Sequence, residues 1–214
     1  ILELAEVSLW LNPMAPGGCV PWFGNQLACG NSLVGARRQV FKAELLNGKK
    51  AGWLDEVPER VQVGKARPEG SVYHFLLGDR GMSVYGEGNE GKPIREMAGR
   101  ELQAIKAWRQ EFCQPLTEDE GTGLQELSDA IDELWDEHVK MQARIRERTT
   151  DPMRVWGQPA PESERPPTTT DWKDRVLQQE MFSKDVRASS PYRRLKLAMD
   201  YWCALWFWPI EKAD

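Results

Sequence analysis

The sequence is poor in the side chains that hold metals or staple small folds. Among 214 residues there are two histidines and four cysteines. His74 and His138 belong to no H-E-x-x-H string and have no cysteine arrangement beside them, which argues against a metal hydrolase. Cys19, Cys29, Cys113 and Cys203 form no C-x-x-C pair, so they read as four reduced thiols rather than a disulfide frame or a zinc site. No apolar run approaches the roughly 20 residues needed to span a bilayer, and no succession of charge, apolar stretch and small residues marks a signal peptide. The expectation is a cytoplasmic protein with no metal.

What is present sets other bounds. An apolar content of 41% over this length allows one substantial core, or one core with an appendage. The net charge is −5 and is uneven, with 12 acids against 6 bases in residues 101–150 and 7 against 8 in residues 171–214. A protein that grips DNA over its whole surface is seldom acidic, so the expectation is that any contact with DNA is made through a local patch or through the remainder of a longer protein. Ten tryptophans, spread from Trp10 to Trp208, point to core and interface.

The first 37 residues organise the rest. Leu4, Val7, Leu9, Trp10 and Leu11 make the opening helix apolar on more than one side, which predicts that other structure covers it. Asn12-Pro13 ends that helix, and the Pro- and Gly-rich residues 13–25 are loop, with Trp22 and Phe23 pinning it to the core. Leu27-Ala28-Cys29 then enters Gly30-Asn31-Ser32, a stop of the kind that takes a chain off a strand into a ligand-facing bend. Helix, buried strand and polar turn together are one unit of a doubly wound α/β sheet. From Arg37, the spacing of Val40, Phe41, Leu45 and Leu46 predicts a short helix ended by Asn47-Gly48, with Arg37, Arg38, Lys42, Lys49 and Lys50 as a solvated basic face in preference to a phosphate contact. Residues 71–77, SVYHFLL, read as a strand because aromatic and β-branched residues concentrate there.

Gly86-Glu87-Gly88-Asn89-Glu90-Gly91 is literally a G-x-G-x-x-G string, but Glu87 and Glu90 would repel phosphate and Lys92-Pro93 is a poor start for a phosphate-binding helix. It reads as a flexible link. Beyond it the periodicity is helical. Leu124, Leu127, Ile131, Leu134, His138, Met141 and Ile145 recur at spacings of three and four, a heptad seam on one long helix. Thr117 and Glu120 form its capping box, while Arg144, Arg146 and Arg148 sit near its C-terminal end. A preceding helix, roughly residues 94–113, carries Ala98, Leu102, Ile105, Trp108 and Phe112 on one stripe, and the short Pro115 break predicts an antiparallel hairpin with a coiled-coil-like seam. Prolines break up residues 151–170, where Val155 and Trp156 are candidates for docking on the body. Thr170 then caps a helix that turns Trp172, Val176, Leu177 and Met181 inward. Ser190 and Pro191 start the last helix, which is apolar on nearly all sides from Leu197 to Phe207 and is expected to be buried.

Two groups of segments carry a family likeness. ELAEVSLWL followed by CGNSLVGAR resembles the stretch after the cofactor loop in adenine-specific DNA methyltransferases of the large restriction-modification type. AIKAWRQEF, IRERTTDPMRVWGQP and SPYRRLKLAMDYWCALWFWPIEKAD are similar to the methylase of the DISARM phage-defence systems. The resemblance implies transfer of a methyl group from S-adenosylmethionine to the exocyclic amine of adenine in DNA. It implies that Asn31, with Ser32 and Leu33 adjoining, lies beside the adenine ring of the cofactor. Many relatives carry Asp at that position, and the amide of Asn31 both donates and accepts where they only accept.

The implied fold is an α-rich α/β protein: a partial class I, Rossmann-like methyltransferase unit over residues 1–92 and a helical hairpin insertion over 93–150. A Pro-rich linker over 151–170 and C-terminal helices over 171–214 complete it. The Gly-rich loop that approaches the methionine end of the cofactor and the Asn/Asp-Pro-Pro-aromatic turn that holds the flipped base in this family do not occur here. The expectation is therefore an internal, catalytically inactive fragment with no catalytic residue of its own. Arg193, Arg194 and Lys196, near Tyr192, are the candidate DNA contacts; the alternative is a basic helix face paired with the acidic hairpin. DNA and other proteins of a defence complex are the implied partners. A reading from another class is a non-enzymatic helical module that binds a protein. Among the remaining groups, His74 reads as a core or edge residue of its strand, His138 as a register-setting polar group in the seam, and Cys29 as packed. Asp132, Glu133, Asp136 and Glu137 read as solvated flanks of the long helix.

Overall fold

The structure, a computed structural model, describes residues 2–11, 22–24, 26–27, 29–31, 34–62, 64–89, 91–151, 157, 168–182 and 190–213. Six α-helices follow one another among these residues: α1 (Leu2–Leu11), α2 (Lys92–Met97), α3 (Gly99–Phe112), α4 (Glu118–Thr149), α5 (Thr170–Phe182) and α6 (Pro191–Ala204). Three short strands, β1 (Gln39–Lys42), β2 (Glu59–Arg60) and β3 (Ser71–Tyr73), lie between α1 and α2. The chain divides into two compact units, Ile1–Ser32 with Trp135–Arg194, and Leu33–Leu134 with Leu195–Asp214. No described helix is long and apolar enough to cross a membrane.

The described sheet belongs to the second unit and is antiparallel, in the order β2-β1-β3, with Val40 opposite both Glu59 and Tyr73 and Phe41 opposite Val72. This corrects the doubly wound parallel sheet expected around residues 1–37. Leu27 and Cys29 join no ladder, and Cys29 is exposed rather than packed. The predicted helix over Val40–Leu46 is also replaced. As the central strand, β1 buries the adjacent residues Val40 and Phe41 on opposite faces, and only Ala43–Leu45 turns, as one 3-10 turn. The strand expected over residues 71–77 stops at Tyr73, and His74–Leu76 forms a second 3-10 turn.

Phe41, Leu46, Ala51, Trp53, Val72 and Leu77 make the core of this unit, with Leu116 and Leu124 packed against it. Trp53 Nε1 donates to Gly78 O at 2.9 Å, and Trp202 Nε1 donates to Leu77 O at 3.0 Å. Gly78 is required by close approach, since a Cβ there would stand 2.7 Å from the carbonyl oxygen of Phe112.

The capping box of α4 forms as its residues predict: Glu120 N donates to Thr117 Oγ1, and the Thr117 N–H donates to Glu120 Oε2 at 2.8 Å. Those hydrogen bonds hold the Glu120 carboxyl below its usual range. The seam behaves differently along its length. Leu124 packs on the sheet cluster, Ile131 is buried, and Leu127 is 53% exposed. Between α3 and α4 lies an open groove of about 680 Å³ lined by Trp108, Phe112, Leu124 and Leu127, so the coiled-coil closure expected there does not form. Ala98, at φ −136° and ψ 39°, divides the single expected helix into α2 and α3.

In the first unit, Met141, Ile145 and Leu177 form a core against which Trp22 and Tyr192 pack. Trp22 packs on this core as expected, and its Nε1 donates to Asp174 of α5 at 2.8 Å. The N-cap of α5 is Thr169, one residue earlier than predicted, with its Oγ1 accepting from Trp172 N at 3.3 Å. Trp172 is exposed where an inward position was expected; the buried positions are Lys173, Val176 and Leu177. Val155 and Trp156 lie outside the described residues, as does the side chain of Met181.

Ser190 caps α6 as predicted, its Oγ accepting from Arg193 N at 3.3 Å. Two expectations of coverage fail. Leu4, Val7, Leu9 and Leu11 are exposed on α1, and on α6 Leu195 is buried while Leu197 and Tyr201 are 71% and 64% exposed. An apolar helix stays dry only where neighbours reach it. Among the described residues, Leu195 has such neighbours and Leu197 does not.

Candidate functional site

The bend expected to face a cofactor is open. Cys29, Gly30 and Asn31 are exposed, and a Cβ at Gly30 would meet nothing within 4 Å. Ser32 and Leu33 lie outside the described residues. Asn31 follows no strand, so the sheet terminus that would place its amide against a nucleoside is not formed by the described residues. Of the expected cofactor contacts, the described residues include the exposed amide of Asn31.

Of the candidate DNA contacts, Arg193 and Arg194 occupy the first turn of α6, where their N–H groups reach Ser190 O at 3.0 and 3.1 Å. Arg194 is exposed and Arg193 half-buried. Lys196 is drawn to Asp200 one turn on, with Nζ 2.5 Å from the carboxylate. That exposed pair contributes at most about 1 kcal/mol and leaves Lys196 a poorer phosphate ligand than its neighbours.

A polar network that the sequence reading did not assemble joins β3 to α4. Tyr73 is fully buried and its hydroxyl donates to Asp132 Oδ1 at 2.7 Å. Arg67 Nε donates to Asp132 Oδ2 at 2.7 Å, while its other nitrogens reach Asp129 and the Ser71 carbonyl. Arg38 donates to the Tyr73 hydroxyl at 3.4 Å. Burial, reinforced by the hydrogen bond to Asp132, pushes the Tyr73 phenol up to about 12. Asp132, expected as a solvated flank, is thus the clamp between helix and sheet. Its charge partners Arg67 and Arg38 lie 65 and 94 residues away in the sequence, a separation that no local pattern bridges.

His74 is a core residue, as expected. Its ring meets Trp202 edge-on at 5.0 Å, and Nε2 lies 2.9 Å from Arg37 O. Burial lowers its pKa, opposed by that carbonyl. His138 stacks on Tyr192 at 5.6 Å with Nδ1 buried and unpartnered among the described residues, and burial lowers its pKa also. Among the described residues, no hydrogen bond joins either histidine to a carboxylate or thiol. No group of three or more His, Cys, Asp or Glu side chains able to hold a metal occurs among the described residues.

Two cavities of the second unit carry chemistry. One, of about 350 Å³, lies under the Gly86–Gly91 loop and is lined by Tyr85, Glu87, Arg95, Lys106 and Arg109. The other, of about 230 Å³, is walled by Trp108, Tyr201, Leu205, Trp208 and Lys212. Ile105 lines both. The glycine string was a visible signal for the first cavity, but the basic residues come from α2 and α3 and read in sequence as ordinary solvated positions.

Comparison with models of protein families, with curated proteins and with solved structures found no match to this chain.

Proposed function

We propose that this chain is part of a DNA adenine-N6 methyltransferase of a restriction-modification or phage-defence system, with Asn31 contributing to the binding of S-adenosylmethionine. The observation that carries the reading is the paired likeness of ELAEVSLWL and CGNSLVGAR, supported by the exposure of the bend at Asn31. An exposed amide has the donor and acceptor that an adenine edge requires. The Rossmann-like sheet, the Gly-rich loop and the Asn/Asp-Pro-Pro-aromatic turn must then come from chain beyond these residues, and residues 1–214 alone have no methyl-transfer activity. The helices from α2 onward position DNA or a partner protein of the defence complex in this reading.

The test is made on the parent protein. DNA from cells that express it should carry N6-methyladenine, and Asn31→Ala should raise KM for S-adenosylmethionine about tenfold with kcat little changed, the loss of one to two hydrogen bonds at roughly 1 kcal/mol each. Unmethylated DNA, or a KM indifferent to Asn31, overturns the proposal.

The exposed leucines and valine of α1 favour a second reading, a helical module that docks on another protein through that face. It requires no methylated adenine and no role for Asn31, so the same assay separates the two.

A further inference from the structure

Among the described residues, the cavity beneath the Gly86–Gly91 loop collects three cations against one carboxylate: Arg95, Lys106 and Arg109 against Glu87. No ion pair joins any of the three to a carboxylate among the described residues. Both guanidinium groups are nevertheless held in place. Arg95 Nη1 donates to Gly88 O at 2.9 Å and to Gly86 O, closing the loop. Arg109 Nη1 donates to Met82 O at 3.0 Å and to Ser83 O at 3.2 Å. Each uses one nitrogen of a planar fork that carries five N–H donors, so each keeps a fixed edge with donors to spare.

The three glycines of the string have separate reasons. Gly86 and Gly88 sit at φ +72° and +68°, where a side chain is strained, and a Cβ on Gly91 would lie 2.2 Å from the Gly86 carbonyl carbon. The tight loop turns its carbonyls to Arg95. An anion in this cavity is therefore bound by side chains and not by a cradle of backbone N–H groups, and the usual objection to a string followed by Lys92-Pro93 does not apply.

Across Ile105 the second cavity presents aromatic surface. Trp108, Tyr201 and Trp208 are 36%, 64% and 37% exposed. Two of these rings are fixed: Trp208 Nε1 donates to Lys212 O at 2.8 Å, and Trp108 stacks on Phe112 at 5.4 Å. The cavities are also tied to each other, because the Tyr85 hydroxyl donates to Trp208 O at 2.9 Å.

We propose that these adjoining cavities form a nucleotide site, with phosphate on Arg95, Lys106 and Arg109 and the base on the Trp108, Tyr201 and Trp208 shelf. A phosphate's charge and several acceptor oxygens suit two pre-positioned guanidinium edges and an ammonium, and base–aromatic stacking is the complement of exposed, fixed rings. Glu87 is an acceptor for a sugar hydroxyl. The site stands whether or not the chain belongs to a methyltransferase. The nucleotide comes either free or as an unpaired residue of a nucleic-acid strand.

The experiment measures binding of adenosine 5′-monophosphate, adenosine, inorganic phosphate and a single-stranded oligodeoxyadenylate to the whole chain. It is repeated with Lys106→Glu and Tyr201→Ala, both exposed positions, after circular dichroism has confirmed their folding. The nucleotide should bind at least tenfold tighter than either adenosine or phosphate. Lys106→Glu should weaken nucleotide and phosphate about tenfold, and Tyr201→Ala should weaken nucleotide and adenosine while leaving phosphate unchanged. Oligonucleotide binding tighter than the monophosphate and sensitive to both substitutions supports the site with a strand as source; weaker binding with the monophosphate pattern intact supports it with a free nucleotide. No nucleotide binding by the folded chain, affinity equal to that of phosphate, or indifference to Tyr201→Ala overturns the proposal.

Discussion

The ion pair between Lys173 and Asp151 is the most exacting test of the first unit. Both side chains are nearly dry, 4% and 8% exposed, and Asp151 Oδ1 also accepts from Thr168 N at 2.9 Å and Thr168 Oγ1 at 3.0 Å. Asp151→Asn keeps the shape and an acceptor for Thr168 but strands a buried ammonium. Removing one partner of a buried pair costs about 3–5 kcal/mol, a large share of the roughly 5–15 kcal/mol that holds a domain folded. Lys173→Met leaves a carboxylate that still has two donors, so it should cost less, about 2 kcal/mol. The double substitution removes both charges and should return to within about 1 kcal/mol of the parent, giving a coupling of several kcal/mol.

Urea unfolding read by near-ultraviolet circular dichroism supplies the global numbers, and hydrogen exchange of the α5 amides reports the unit itself. The acid limb adds a second signature. Burial raises the Asp151 carboxyl, but the Lys173 ammonium and the Thr168 donors outweigh it and leave the folded pKa lowered. A lowered carboxylate pKa stabilises the fold above about pH 4 and loses that contribution as pH falls through the folded value; Asp151→Asn should flatten this part of the profile. Single substitutions that each cost under about 1 kcal/mol, or a double substitution no better than the worse single one, would refute the reasoning.

Two further outcomes follow from the other buried polar groups. Tyr73 should ionise near pH 12 by phenolate absorbance, and because its folded pKa is raised its stabilising contribution fades as pH climbs from about 10 towards that value. Tyr73→Phe should abolish the late ionisation and cost about 1 kcal/mol, whereas Arg67→Ala, which takes the donors from Asp132 and Ser71 O together, should cost about 2–3 kcal/mol in urea unfolding. His138 is held neutral by burial, so the unit around it should lose stability as pH falls below about 6.5 towards the lowered folded pKa. His138→Phe preserves stacking on Tyr192 and should reduce that acid loss when the two proteins are melted side by side between pH 7 and pH 5.

What the sequence determined by itself was local. The start of α4 was legible in Thr117 and Glu120, and that of α6 in Ser190 and Pro191, because a cap is settled by residues three apart that satisfy the free N–H groups of one turn. The long period of α4 was legible for the same reason. Tertiary structure decided which faces are covered and which distant groups meet. Val40 and Phe41 look helical beside Leu45 and Leu46 until β2 and β3 flank them, and burial on both sides makes them a central strand. Lys173 sits in the interior because Asp151 is there to neutralise it, a fact no helical period encodes. Arg95, Lys106 and Arg109 are solvated charges in one dimension; only the folding of the glycine loop over α3 makes them the walls of one cavity. A charge or an apolar side chain carries no record in the sequence of its eventual neighbour, since its burial energy is set by the surroundings that folding assembles.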